Sequence, residues 1–158
     1  MRWLDFLFPP RMDEFALREV SPDDFLSCMR VRLVQETQPE TIGLLPFAAS
    51  SVRAAIHEAK YRGNERAFEL LSVALVEYLR DADDVGPPRS SVIVPVPLGE
   101  KRRKERGFNQ VEEIANRAAK LLGCAVDATF LERTRETASQ VSLPRRARLE
   151  NMRGAFIV

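Results

Sequence analysis

Apolar residues fall at helical spacing in four stretches of the chain. Val52, Ala55, Ile56 and Ala59 predict a helix capped by Ser50 or Ser51 and stopped by Gly63. Phe68, Leu71, Leu75 and Tyr78 predict the next, capped by Asn64 and reaching about Arg80. A shorter helix starts at Ser21-Pro22-Asp23-Asp24, with a capping serine, proline at the first position and acids in the first turn. Phe25, Leu26, Met29 and Leu33 are expected on its buried side. In the fourth, Val111, Ile114, Ala115, Ala118, Leu121 and Leu122 share a face, and Gly123 stands where a C-terminal cap belongs. Asn109, three residues before Glu112, resembles a capping box at its start.

Strand signals are shorter. Val92, Ile93, Val94 and Val96 form a β-branched run of the kind that fills a buried strand. Pro95 and Pro97 remove two backbone donors, so pairing weakens at its C-terminal end. Thr41 to Phe47 reads as a strand or extended connector, Ala125 to Leu131 as a further strand, and Gly154 to Val158 as a closing one. Asp81 to Ser91, acidic and then Gly-Pro-Pro, is the clearest linker. It separates a helical N-terminal lobe, residues 1–88, from an α/β segment, residues 89–158.

With 158 residues and 45% hydrophobic content, the chain suits one core, with at most an appended lobe. No transmembrane run occurs, and the proline-broken start is too short for a signal peptide, which predicts a cytoplasmic protein. Cys28 and Cys124 form no paired motif, so they read as small buried hydrophobes and zinc is not expected. The net charge of +1 conceals an asymmetry. Residues 1–88 carry 10 Lys and Arg against 15 Asp and Glu, whereas residues 89–158 carry 14 against 8. The basic half therefore suits an anionic ligand, a phosphosugar or a nucleic-acid backbone.

Candidate chemistry concentrates after the Val92 run. Lys101, Arg102, Arg103, Lys104 and Arg106 form a basic loop delivered onto a helix N-terminus. Free amides and the helix dipole favour phosphate there, which nominates Arg106, Gly107, Phe108 and Asn109 as a pyrophosphate site. His57 is the only histidine, read as a partly exposed helical residue without an identifiable partner. Lys60 and Tyr61 lie at the joint of two helices, where the lysine complements the helix dipole.

Three ordered segments carry a family resemblance: HEAKYRGN from His57, PVPLGEKRRKERGFNQ ending at Gln110, and TASQVSLPRRARLENMRGAF from Thr137. Together they resemble the competence ComF family of phosphoribosyltransferase-like proteins. The resemblance implies an α/β fold with an incomplete type I phosphoribosyltransferase core behind the helical N-terminal lobe. It also implies phosphoribosyl pyrophosphate with Mg²⁺ as ligand, and a role in DNA uptake during natural transformation. Lys60 then falls near the cleft. The polar stretch from Arg133 to Arg153 matches the family's mobile loop, with Thr137, Gln140, Arg145, Arg146 and Arg148 as its candidate ligand contacts. Leu143 and Asn151 also match. The zinc ribbon of many relatives is not expected, because the segment around Trp3, Phe6, Leu7 and Phe8 carries no cysteine pair.

The family's principal phosphate cradle, two adjacent acids followed by a threonine- and glycine-rich turn, has no match before Val158. Asp23-Asp24, Asp83-Asp84, Asp13-Glu14 and Glu112-Glu113 are all followed by other sequence. The expectation is therefore a truncated phosphoribosyltransferase-like chain that binds pyrophosphate without measurable transfer. The alternative is a non-catalytic module binding single-stranded DNA or competence proteins through its basic surface. An open Val92–Val96 edge further predicts cover by a second copy, by the Trp3–Phe8 cluster or by further residues of the polypeptide.

Overall fold

The computed structural model describes residues 12–35, 37, 39–82, 90–140 and 143–158. The Trp3–Phe8 cluster, the Asp83-Asp84 pair and most of the 81–91 linker lie outside the described residues. Among the described residues, helices and short strands follow in mixed order: α1 (Met12–Glu19), α2 (Pro22–Leu26), β1 (Arg32–Val34), β2 (Thr41–Gly43), α3 (Ser50–Arg62) and α4 (Glu65–Asp81). Then come β3 (Val92–Ile93), α5 (Glu100–Arg106), α6 (Gln110–Leu122), β4 (Ala125–Val126), β5 (Glu132–Arg133), α7 (Arg145–Met152) and β6 (Phe156–Ile157). The strands make three separate pairs among the described residues: β1–β2 antiparallel, β3–β4 parallel and β5–β6 antiparallel.

The expected helices form, and their ends follow their capping residues. Ser21 Oγ accepts the Asp24 amide at the start of α2, with Pro22 in the first turn. Asn64 Oδ1 accepts the amides of Arg66 and Ala67 and starts α4. Helix α3 differs: its N-cap is Ala49, which offers no side-chain bond, and Ser50 and Ser51 already lie inside the first turn. A turn from Pro46, closed by the Ala49 amide, sets that start instead.

The core is helical. Leu17, Phe25, Val52, Ala55, Ala59, Phe68, Leu70 and Ala74 are buried together, with Phe108 and Ile114 packed against them. Helix α4 packs on α3 along one side and on α6 along another, where Ala115, Ala118 and Ala119 are buried. Small residues on α6 let two helices meet with little side-chain entropy lost. The residues on either side of the 83–89 segment thus share one apolar interface. Arg117 reinforces it, its Nη2 2.7 Å from Glu65 of α4 and its guanidinium 5.4 Å from the Phe68 ring centre.

Three expectations about extended structure are corrected. Val92–Val96 is not a buried five-residue strand: only Val92 and Ile93 pair, and Val92 and Val96 are exposed. The Asp127 amide donates to Ile93 at 3.0 Å, and beyond it lie the two prolines that cannot extend a ladder. Ala125 to Leu131 pairs only over its first two residues. Asp127 then turns the chain, accepting the Thr129 hydroxyl and amide and the Phe130 amide, which together hold its carboxyl below the usual value. Leu33 sits in β1, exposed opposite Ile42, rather than on the buried side of α2.

Gly63 joins α3 to α4 in the left-handed region, φ +60°, and a Cβ there would stand 3.2 Å from the Phe108 ring. Gly63→Ala should therefore cost about 1–2 kcal/mol from backbone strain alone. Urea denaturation checks this: the midpoint should fall while the slope stays that of the parent. An unchanged midpoint would mean that the joint relaxes freely.

Candidate anion site at the helix joint

The site is assembled from two chain reversals. The first is the α3–α4 joint, which carries Lys60 and Tyr61 on the last turn of α3. Glu58 is buried there, and Asn64 Nδ2 donates to its carboxylate at 3.3 Å. The side chain of Asn64 is thereby fixed between α3 and α4, and so is the direction in which the last turn of α3 projects.

The second reversal is the α5–α6 junction. The sequence predicts a basic loop here, but Glu100 to Arg106 is helical. Its seven residues contain no apolar periodicity, so nothing in the pattern announces a helix. Glu100 lies 3.9 Å from Lys104, and Arg103 lies 3.5 Å from Glu112 of the next helix. Glu112 is thus turned toward Arg103, away from its expected role in a capping box. Gly107 ends α5 in the left-handed conformation, its amide bonded to the Arg103 carbonyl at 2.8 Å. Phe108 drives into the core, edge-on to Phe68 with ring centres 5.8 Å apart.

Asn109 is buried and uses both ends of its amide. Its Oδ1 accepts the Val111 amide and caps α6, while Nδ2 donates to the Val96 carbonyl at 3.1 Å. It therefore locks α6 to the proline segment. Two of the four nominated residues are structural in this sense: Phe108 anchors, Asn109 ties. The Gly107 amide is already committed, so an anion here would depend chiefly on side-chain cations.

Arg106 supplies one. Its Nη1 donates to Gln110 Oε1 at 3.1 Å, and its guanidinium carbon lies 5.5 Å from the centre of the Tyr61 ring. Lys60 Nζ lies 5.1 Å from the centre of the same ring. Tyr61 thus gathers Lys60 and Arg106, which are far apart in sequence, into one place. Among the described residues no carboxylate pairs with either cation. Cations beside an aromatic face are favourably held yet still have donors for a phosphate oxygen. The role of Tyr61 was not anticipated, because its partner comes from a helix that the pattern does not show. His57 also gains partners: Asp13 of α1 lies 3.4 Å from its Nδ1, and Tyr61 packs 4.8 Å away, ring centre to ring centre.

The remaining nominated residues belong to a separate polar module. The 133–153 stretch contains a helix, α7, and is closed by β5–β6. Thr137 accepts a short hydrogen bond from Arg133. Arg135 donates to the Asn151 and Arg153 carbonyls, and Asn151 exchanges two bonds with the backbone of Ala138. Arg148 Nε donates to the Leu143 carbonyl at 2.8 Å. Gln140 is half-buried and Arg146 exposed, while the Arg145 side chain lies outside the description.

Glu136 docks this module on the first turn of α5, accepting the Lys101 amide at 3.1 Å. A Cβ at Gly99 would come within 2.5 Å of that carboxylate, so the close approach uses the glycine. Arg106 lies at the other end of α5, about 9 Å away along a seven-residue helix. The structure therefore brings Lys60 and Arg106 to one tyrosine ring, and it sets Glu136 against the opposite end of the helix that carries Arg106.

Comparison with known proteins adds a functional association. The chain is 38% identical over 102 residues to the DNA utilization protein YhgH of Salmonella typhi, and 36% identical over 102 residues to the protein of that name from Escherichia coli strain K12. Each match spans 64% of this chain and 45% of the relative, so the chain aligns with a little under half the length of these curated relatives. No family model and no solved structure matches the chain. Its homologues are proteins named for DNA utilization.

Proposed function

We propose that this chain is an anion-binding domain of a DNA-utilization protein, built on the phosphoribosyltransferase pattern. It holds pyrophosphate or phosphoribosyl pyrophosphate between Lys60 and Arg106. The observation that carries this reading is the convergence of those two cations on the ring of Tyr61, at 5.1 and 5.5 Å from its centre. The likeness of the 57–64 and 95–110 segments to the ComF family supports it, as does the name of the relatives. A role in DNA uptake is part of the same proposal.

Among the described residues no three His, Cys, Asp or Glu side chains group together as a metal cage. Mg²⁺ would accordingly be held by the diphosphate oxygens and water, and would screen charge on the ligand. In this reading Thr137, Gln140, Arg145, Arg146 and Arg148 form a second group that closes toward the ligand from the far end of α5.

Titration calorimetry of the chain with pyrophosphate and with phosphoribosyl pyrophosphate, each with and without Mg²⁺, tests the proposal. Both ligands should bind, and Lys60→Ala should weaken both. Binding that is indifferent to Lys60, or no binding to either ligand, would remove this site from consideration.

A further inference from the structure

A cleft of about 360 Å³ is lined by Asp13 of α1, by Phe47, and by Arg53, His57 and Tyr61 of α3. The contact of Asp13 with His57 Nδ1, at 3.4 Å, holds α1 there. Asp13 is the second residue of α1, so the chain enters that helix at the rim of the cleft. The two aromatic rings of the lining stay open: Phe47 is 60% exposed and Tyr61 50%. Arg53 is exposed as well, and among the described residues it is in no ion pair with a carboxylate.

The residues before Met12 lie outside the described residues, and their sequence complements this cleft. Five of the six residues Trp3-Leu4-Asp5-Phe6-Leu7-Phe8 are large and apolar, a run that is costly to leave in water. Asp5 is the only charge in that run and is opposite in sign to Arg53. Phe8 is five residues from Asp13, so their Cα atoms are at most about 18 Å apart. Tethering at that range sets an effective concentration on the order of millimolar, which favours this segment over a second copy at micromolar protein. The volume of the cleft is enough for aromatic side chains.

We propose that the segment Trp3–Phe8 docks in this cleft, with Trp3 and its neighbouring rings against Phe47 and Tyr61 and with Asp5 facing Arg53. Pro9 and Pro10 suit the connection, because the residue before each is disfavoured in the α conformation and the chain leaves the axis of α1. The docking does not depend on the anion site, since it uses apolar packing and one ion pair with Arg53. It gives the segment a role beside that site, backing the Tyr61 ring that Lys60 and Arg106 approach.

Trp3 is the only tryptophan, so its fluorescence reports the segment directly in the whole chain. In the parent, emission should be blue-shifted from that of the urea-unfolded chain and protected from acrylamide. Phe47→Ala and Arg53→Glu should each shift emission to the red and raise quenching, while circular dichroism shows that both variants keep their helices. Asp5→Arg should do the same, and combined with Arg53→Glu it should return the parent's emission. Emission in the folded parent equal to that of the unfolded chain overturns the proposal. So does a protected Trp3 that ignores Phe47→Ala and Arg53→Glu, which would seat the segment elsewhere, as on the exposed Val92 and Val96. Protection that disappears on dilution, with circular dichroism unchanged, assigns the cleft to the segment of a second copy and overturns docking within one chain.

Discussion

Replacing Phe68 by Ala should destabilise the chain by about 3–5 kcal/mol, the range for removing a buried aromatic ring. Phe68 is almost fully buried on α4 and has three kinds of neighbour. It packs among the α3 and α4 core residues, it meets the Phe108 ring edge-on, and it lies under the Arg117 guanidinium. The alanines of α6 are too short to refill the space. Without the ring, Arg117 also loses the face that supports its ion pair with Glu65. Because Phe108 is the anchor of the 106–109 segment, the loss should reach the anion site as well. Chemical denaturation gives the stability change. A drop below about 1 kcal/mol would show that α4 and α6 do not meet through Phe68 as described.

Arg106→Ala should weaken pyrophosphate binding by about 1–3 kcal/mol, the worth of a hydrogen bond between charged partners. The magnitude stays in that range because Arg106 is only half-buried and water screens it. Its removal costs the fold little, since it gives up one bond to Gln110 and the contact with Tyr61. Arg106→Lys should recover only part of the affinity. Lysine keeps the charge but lacks the planar fork that can lie on the tyrosine ring and grip two oxygens together. Full recovery by lysine would mean that charge alone matters at this position.

The parts of the fold that were legible are those in which one helix carries its own signal. Asn109, the apolar face of α6 and Gly123 mark that helix from start to stop, and the structure keeps Asn109 and Gly123 as its caps. The same holds for Asn64 and Gly63 at the α3–α4 joint. Strand lengths were not legible, since pairing depends on a partner elsewhere in the chain. Two valines of the Val92 run therefore stay exposed where a buried strand was expected. Helix α5 was hidden because it is stabilised by charge pairs and caps, which leave no apolar stripe. Arg106 and Lys60 were both legible as candidates. Their meeting was not, because it is made by the ring of Tyr61 across two chain reversals.

An anion on both Lys60 and Arg106 would be held by two reversals of the chain at once. The most direct measurement is mapping of backbone amide chemical shifts during titration with pyrophosphate. Shifts should concentrate at residues 60–63 and 106–111, both groups saturating at the same ligand concentration. Shifts confined to residues 133–153, or two groups saturating at different concentrations, would contradict it.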